Sequence, residues 1–206
     1  MQTTTHDDLV LHPAGDGDFS TLAGLLGTAY HDEPRMAALL PDRTRREPRL
    51  RKLFSLLLTR DQTADIAVLG EQPRAAAVWD RPGAQEPPLG RRIAHLPALL
   101  SLFRWRIPDT ARAIEAFTAS ENHRPDEPHW HLFALGTDPR ARGRGLARAL
   151  LTNGLARADA HDTPVYLETA THAGVAHFER FGFRVIHEFP VSGGLTVYGM
   201  WRPARP

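Results

Sequence analysis

The spacing of apolar positions changes several times along the chain, and each change marks an element. Leu9, Val10 and Leu11 form a short apolar run that predicts a first strand. Behind Asp18, a residue suited to an N-cap, Phe19, Leu22, Leu25, Leu26 and Ala29 recur at helical spacing. His31-Asp32-Glu33-Pro34 ends that helix. An arginine-rich stretch, residues 41–49, leads into a second helix carrying Leu50, Leu53, Phe54, Leu57 and Leu58. Residues 66–69 and 75–79 read as two strands around a turn at 70–73.

A long connection, residues 80–128, follows, with proline and glycine at its borders and helical stretches at 93–105 and 109–120. Connections of that length usually cover a site. Residues 130–136 read as the next strand, and a helix runs from Leu146 to about Ala160. Residues 165–169 alternate, with Leu167 opposite in facing to Glu168. A short helix over 174–181 ends at Gly182, a C-cap residue type. Residues 183–189 and 195–201 close the chain as an antiparallel pair joined by Ser192-Gly193-Gly194. The predicted order is β-α-α-β-β-(insertion)-β-α-β-α-β-β, an α/β domain with a mixed sheet. At 206 residues the chain suits one domain spanning 1–206.

Composition narrows the function classes. A formal net charge of +1 argues against nucleic acid or a membrane surface as the main partner. The chain has no cysteine, so disulfides and a thiol nucleophile are excluded. The N-terminus shows neither a basic nor an apolar leader region, and no apolar run approaches the roughly 18 residues of a membrane span, so a cytoplasmic location is expected. Lys52 is the only lysine, which points to a GC-rich genome rather than to a physical demand.

The chemistry concentrates between Leu135 and Ala147. There an apolar run enters a loop of small residues and arginines, and an amphipathic helix leaves it. Loop N–H groups and the helix N-terminus together make an anion site suited to phosphate or pyrophosphate. It is not a Walker loop, which would end in Gly-Lys-Ser/Thr. Nor is it a dinucleotide fingerprint, which opens a βαβ unit with G-x-G-x-x-G. The pattern is Arg142-x-x-Gly145-x-Ala147, and it resembles the pyrophosphate loop of the GNAT superfamily of acetyl-CoA-dependent N-acetyltransferases.

Two further blocks fit in order. Leu167-Glu168-Thr169 resembles that superfamily's fifth strand, and residues 177–183, His-Phe-Glu-Arg-Phe-Gly-Phe, resemble its Phe-Tyr-Glu-Arg-x-Gly-Phe block. Pro41-Asp42-Arg43, the segment 75–79 and the segment 123–130 are similar to stretches of the puromycin N-acetyltransferase group and its actinomycete relatives. The resemblance implies a mostly antiparallel mixed sheet splayed between its fourth and fifth strands, with helices on both faces and a helical insertion (80–128) over the acceptor site. It implies that the backbone of Leu135, Gly136 and Thr137 holds the pantetheine arm of acetyl-CoA. The N–H groups from Arg142 through Gly143, Arg144, Gly145 and Leu146 to Ala147 would hold the pyrophosphate, with Arg140, Arg142 or Arg144 adding side-chain pairing. Gly174 and Phe178 would lie against the same cosubstrate. Two positions depart from the pattern: the usual general-acid tyrosine is Phe178, and a frequent asparagine is Gly174.

The implied reaction is direct attack of a neutral amine on the thioester in a ternary complex, with a backbone N–H near Leu135 stabilising the oxyanion. Glu168 is the first candidate for the base. Asp32 and Glu33 are candidates for amine recognition, and Tyr30, Trp79 and Trp130 for the acceptor pocket. His177 and His131 are candidate proton donors. Adjacent helical residues point about 100° apart, so His177 is not a simple stand-in for a tyrosine at 178. His129-x-His131 could form half of a zinc site, but no second pair has suitable spacing, and no metal is expected. No Gly-x-Ser-x-Gly elbow is present, which argues against a serine hydrolase. The expected acceptor is a primary amine of a small metabolite, an antibiotic or a biosynthetic intermediate. The alternatives are a protein N-terminal or lysine acetyltransferase, and a CoA-binding relative with impaired catalysis. An edge strand at 195–201 offers a surface on which two chains can pair.

Overall fold

The computed structural model describes residues 9–83, 97–98, 100–103 and 107–205. Strands β1 (Leu9–Pro13), β2 (Thr63–Leu69), β3 (Gln72–Asp80), β4 (Trp130–Thr137), β5 (Val165–Thr169), β6 (Arg184–Val191) and β7 (Leu195–Arg202) form one sheet. Their order is β1-β2-β3-β4-β5-β7-β6. Every pairing is antiparallel except β4 with β5. The expected α/β class, with a mixed and mostly antiparallel sheet, is what the chain adopts.

The parallel pair is short. Only Trp130, His131 and Leu132 of β4 pair with Val165, Tyr166 and Leu167 of β5. Beyond them β4 runs on to Thr137 unpaired on that side. The cause lies one strand over. The β3–β4 register jumps from Val78↔Ala134 to Trp79↔Leu132, leaving Phe133 as an extra residue. Such a bulge bends its strand, and here the two parallel strands part immediately after it.

Helices cover both faces. α1 (Phe19–Ala29) and α3 (Arg43–Leu57) pack Leu22, Leu26 and Phe54 on Ile66, Ala76, Val78 and Ala134. On the other face, α5 (Leu146–Asp159; α4 is given below) packs Leu146, Leu150, Leu151 and Leu155 on Ala75, Ala77, Trp79 and Leu167. The period-2 facing of β3 divides its residues between these two cores. The helix α4 (Ile107–Asn122) belongs to the insertion. Its Ala113 joins Leu102 and Phe103 against Leu40, Leu50 and Leu53. The first helical stretch expected in the insertion, 93–105, lies largely outside the described residues.

Several sequence expectations are corrected. The arginine-rich lead-in is itself helical: α3 starts at Arg43, where Asp42 accepts the Arg45 N–H at 3.4 Å. Arg46 there is buried, its guanidinium donating to the carbonyls of Leu40, His31 and Pro41. The segment at 31–34 follows the end of α1 and also opens a helix not expected from the sequence, α2 (Pro34–Leu39), with Glu33 as N-cap and Pro34 at its first position. Asp18 precedes α1 as expected, but its carboxylate accepts the Gly15 N–H and caps no helical N–H. The strand at 195–202 is not an edge: β7 lies between β5 and β6, so it offers no surface for pairing two chains. The last helix, α6 (His172–Glu179), starts two residues early because Thr171 caps it through the Gly174 N–H at 3.0 Å.

Trp79 shows how closely α5 is set on the sheet. A Cβ at Gly154 would overlap the indole ring of this fully buried tryptophan. Gly154→Ala would add roughly 1 kcal/mol of helix propensity. Overpacking of a filled core costs about 1–3 kcal/mol, and the ring cannot swing away. The expected result is a lower melting temperature; a higher one would mean that this packing is wrong.

Candidate active site

The parting of β4 and β5 opens a cleft of about 1470 Å³. Leu132 to Leu135 form one side of its floor and Leu167 to Thr169 the other. α1 and α2 wall it with Tyr30, Glu33 and Arg35, while the insertion walls it with Phe117, Ser120 and Arg124. Phe178 also faces it. The volume exceeds that of an ordinary small-ligand pocket, roughly 300–1,000 Å³, and leaves room for a long cosubstrate and an acceptor together.

At one end of β4 lies the loop that the sequence marks as a candidate anion site. Pro139–Ala141 make a tight 3-10 turn, and Asp138 accepts the Arg140 N–H at 2.9 Å. Gly143 and Gly145 follow with φ of +78° and +80°. Nothing lies within 4 Å of a Cβ built at either position. Both are glycine for their backbone conformation rather than for lack of space, since a left-handed residue with a side chain is strained. Gly145 is the N-cap of α5, whose first-turn N–H groups at Leu146 and Ala147 have no partner within the helix. Arg140, Arg142 and Arg144 are exposed beside them. Arg142 also donates to the Ala29 carbonyl at 3.3 Å, tying the loop to the end of α1.

Along β4, the Leu135 N–H turns away from β3 and donates to the Tyr30 hydroxyl at 3.2 Å. Gly136 makes this approach feasible, because a Cβ there would sit 2.8 Å from Cβ of Ala29. Thr137 follows with its hydroxyl buried and without a partner among the described residues. This backbone stretch is the one that sequence reasoning assigned to the pantetheine arm.

Further down β4, His131 faces the cleft with its Nδ1 2.7 Å from Asp80 Oδ2. Asp80 closes β3 directly opposite His131. Gln62 donates to its other oxygen at 2.8 Å, and Arg124 lies 3.7 Å away. Burial would raise the Asp80 carboxyl, but the bonds from His131 and Gln62 and the Arg124 charge outweigh it and hold it below the usual range. An ionised Asp80 takes the Nδ1–H and leaves Nε2 as the basic nitrogen of His131. Sequence reasoning had passed over Asp80. Only the strand register reveals it.

Glu168 is placed at the cleft but is fully engaged. Arg35 donates to Oε2 at 3.1 Å, Ser120 donates to the same oxygen at 2.7 Å, and the Tyr166 hydroxyl reaches Oε1 at 3.2 Å. The carboxylate thus links α2, α4 and β5. Burial, and then the Glu168 charge, push the Tyr166 hydroxyl far up. The same hydroxyl lies 3.1 Å from Nε2 of His187, whose basicity burial lowers. Asp32 and Glu33 line the cleft, but each has structural partners: His31 and Arg43 for Asp32, and the Met36 N–H for Glu33.

Four candidates lie elsewhere. Trp79 and Trp130 belong to the core beneath α5, and Arg157 stacks over the Trp130 ring at 5.7 Å. Their direction follows from strand facing, which sends their rings away from the cleft. His177 does not line the cleft; its Nδ1 meets Arg180 at 3.2 Å and its ring packs on Phe178 and Phe181. Gly174 lies beneath Thr169, where a Cβ would overlap the threonine hydroxyl, which is a packing reason for glycine at that position. The His129 and His131 rings flank Tyr166, and among the described residues no group of three or more metal-ligating side chains is assembled. Among the described residues no helix is long and apolar enough to cross a membrane.

Residues 75–183, just over half of the chain, match the model of the acetyltransferase (GNAT) family. A solved structure described as histone acetyltransferase HPA2 and related acetyltransferase, from Corynebacterium glutamicum, is similar at 28% identity, covering 96% of this chain and 98% of its own with a TM-score of 0.73. The polyamine N-acetyltransferase of Drosophila melanogaster, which forms N-acetylagmatine, shares 16% identity over 95% of this chain and 100% of its own, with a TM-score of 0.62. The ribosomal-protein-S18-alanine N-acetyltransferase of Escherichia coli shares 14% identity over 97% of this chain and 96% of its own, with a TM-score of 0.58. The last two share the fold. With the matched segment running from β3 through the splayed strands and the glycine-containing loop before α5 to the end of α6, the chain belongs to the GNAT family of N-acetyltransferases.

Proposed function

We propose that this enzyme moves the acetyl group of acetyl-CoA directly to a primary amine of a small metabolite, with His131 as the base. The observation that carries this reading is the Asp80–His131 pair on the cleft floor, in line along β4 with the Leu135 N–H. The residues present suit acetyl-CoA. Two left-handed glycines open the loop backbone, α5 presents its first-turn N–H groups, and β4 offers unpaired backbone along the split.

In this reading the pyrophosphate is held by the N–H groups from Arg142 to Ala147, with Arg140, Arg142 and Arg144 around them. Leu135, Gly136 and Thr137 hold the pantetheine arm, and Phe178 packs on it. An incoming ammonium loses its proton to Nε2 of His131, directly or through water, and Asp80 stabilises the resulting imidazolium. The neutral amine attacks the thioester carbon, and the Leu135 N–H meets the developing oxyanion. A thiol has an ordinary pKa of about 8.5, so the sulfur can leave as thiolate without an acid at position 178. Glu168, saturated by Arg35, Ser120 and Tyr166, positions α2 and α4 over the cleft instead of accepting a proton.

A small acceptor is favoured because the insertion meets α2 at the cleft, where Arg35 donates to Ser120 at 2.9 Å. An antibiotic or a biosynthetic intermediate falls within this class. The test is release of free CoA from acetyl-CoA across polyamines, arylalkylamines, aminonucleosides, aminoglycosides and peptides. Turnover with small amines and none with peptides is expected. Turnover with peptides alone, or CoA binding with no turnover of any amine, would overturn the reading.

A further inference from the structure

We propose that the Tyr30 hydroxyl is the second donor of the oxyanion hole, acting on the thioester carbonyl beside the Leu135 N–H. This rests on acetyl transfer in the β4–β5 cleft. Three placements support it. Tyr30 is the C-cap residue of α1, and its ring packs edge-on against Phe54 at 5.2 Å, which fixes its direction. Gly136 has no side chain, so the end of α1 comes close enough for the ring to lie across β4, its Cε2 3.5 Å from a Cβ built at 136. The hydroxyl oxygen then sits 3.2 Å from the Leu135 nitrogen and accepts that N–H.

An oxygen that accepts an N–H still has its own proton to give. Among the described residues no acceptor takes it. Burial pushes this hydroxyl up to about 12, so it stays protonated throughout the working pH range. Two donors 3.2 Å apart can both reach a single carbonyl oxygen seated between them and the cleft. In the free enzyme the same hydroxyl gives the otherwise orphaned Leu135 N–H a partner.

The high pKa also decides what Tyr30 does not do. Giving its proton to a thiolate of ordinary pKa, about 8.5, would be uphill by several units. Tyr30 therefore donates a hydrogen bond and keeps its proton. The amine lone pair forms the C–N bond, and the carbonyl π pair moves onto oxygen between Tyr30 and Leu135. His131, having passed the ammonium proton on to water before the attack, takes the second proton from the attached nitrogen. When the C=O bond re-forms, C–S breaks and sulfur leaves with the bonding pair as thiolate. The step balances without a hydroxyl on residue 178, so Phe178 is compatible with an active enzyme.

The test is Tyr30→Phe, which removes the hydroxyl and keeps the ring on Phe54. Infrared difference spectra of acetyl-CoA labelled at the thioester carbonyl report the hydrogen bonds without any acceptor amine. The carbonyl stretch is expected at lower frequency in the parent than in Tyr30→Phe, and kcat is expected to fall by about 10²–10³-fold, as for loss of one oxyanion donor. The KM for acetyl-CoA should change by less than about threefold, because the interaction strengthens only in the transition state. Equal carbonyl frequencies in two proteins that both bind acetyl-CoA would overturn the proposal. A parent that binds no acetyl-CoA would overturn the acetyl-transfer reading itself. If Tyr30→Phe loses its fold, 3-fluorotyrosine at position 30 supplies a stronger donor and should lower the stretch further; an unchanged stretch would again refute the role.

Discussion

His131→Gln is expected to lower kcat by about 10²–10⁴-fold, the usual share of a general base. Glutamine can still donate to Asp80, so β3 and β4 stay paired and the melting temperature should hold. What is lost is the basic Nε2 facing the cleft. Glu168→Gln is the control. It breaks the contact with Arg35 between residues 9% and 20% exposed, so it should destabilise the cleft walls and raise KM for the acceptor. Its kcat should stay far above that of His131→Gln. If Glu168→Gln abolishes turnover and His131→Gln preserves it, the two roles are reversed.

The second large effect is expected at the loop. Gly145 adopts φ of +80° at the N-cap of α5 with open space around its Cβ position. A β-branched residue there costs roughly 1–3 kcal/mol of backbone strain. The loop relieves that strain by leaving the conformation that aims its N–H groups. For Gly145→Val the Kd for CoA should therefore rise by about 10–100-fold, at 1.4 kcal/mol for each factor of ten. Asparagine tolerates the left-handed region, so Gly145→Asn should restore most of the affinity. Calorimetry with CoA reads both variants. Equal losses in the two would point to crowding rather than conformation, against the empty surroundings of this glycine.

How much of this was legible in the chain depends on whether the information is local. The strands around the anion loop, α5, and the Leu-Glu-Thr strand show in period and spacing because each buries one face. The glycines at 143 and 145 are the residue type that the left-handed conformation found there favours. α2 went unseen although its cap was present: Glu33 before Pro34 is an N-cap followed by a first-turn proline, and six residues are too few to set up a period. The arginine-rich run was read only as leading into the second helix, because Arg46 buries its charge in three carbonyls, which no periodicity rule anticipates.

The site divided along the same line. Glu168 and Leu135 line the cleft, and the loop follows β4. The partners that set their chemistry are distant in sequence: Asp80 reaches His131 through the β3–β4 register, Arg35 reaches Glu168 from α2, and Tyr30 reaches Leu135 through the gap left by Gly136. Trp79 and Trp130 were expected in the acceptor pocket, but facing along β3 and β4 turns both into the core under α5.

Direct acetyl transfer across the split between β4 and β5 requires both substrates to be bound at once. Initial velocities measured over a grid of acetyl-CoA and amine concentrations, with mass spectra of the enzyme after rapid mixing with acetyl-CoA alone, distinguish this from a covalent intermediate. Intersecting double-reciprocal lines and an enzyme that stays unmodified until amine is added are expected. Parallel lines with an acetylated enzyme would overturn direct transfer.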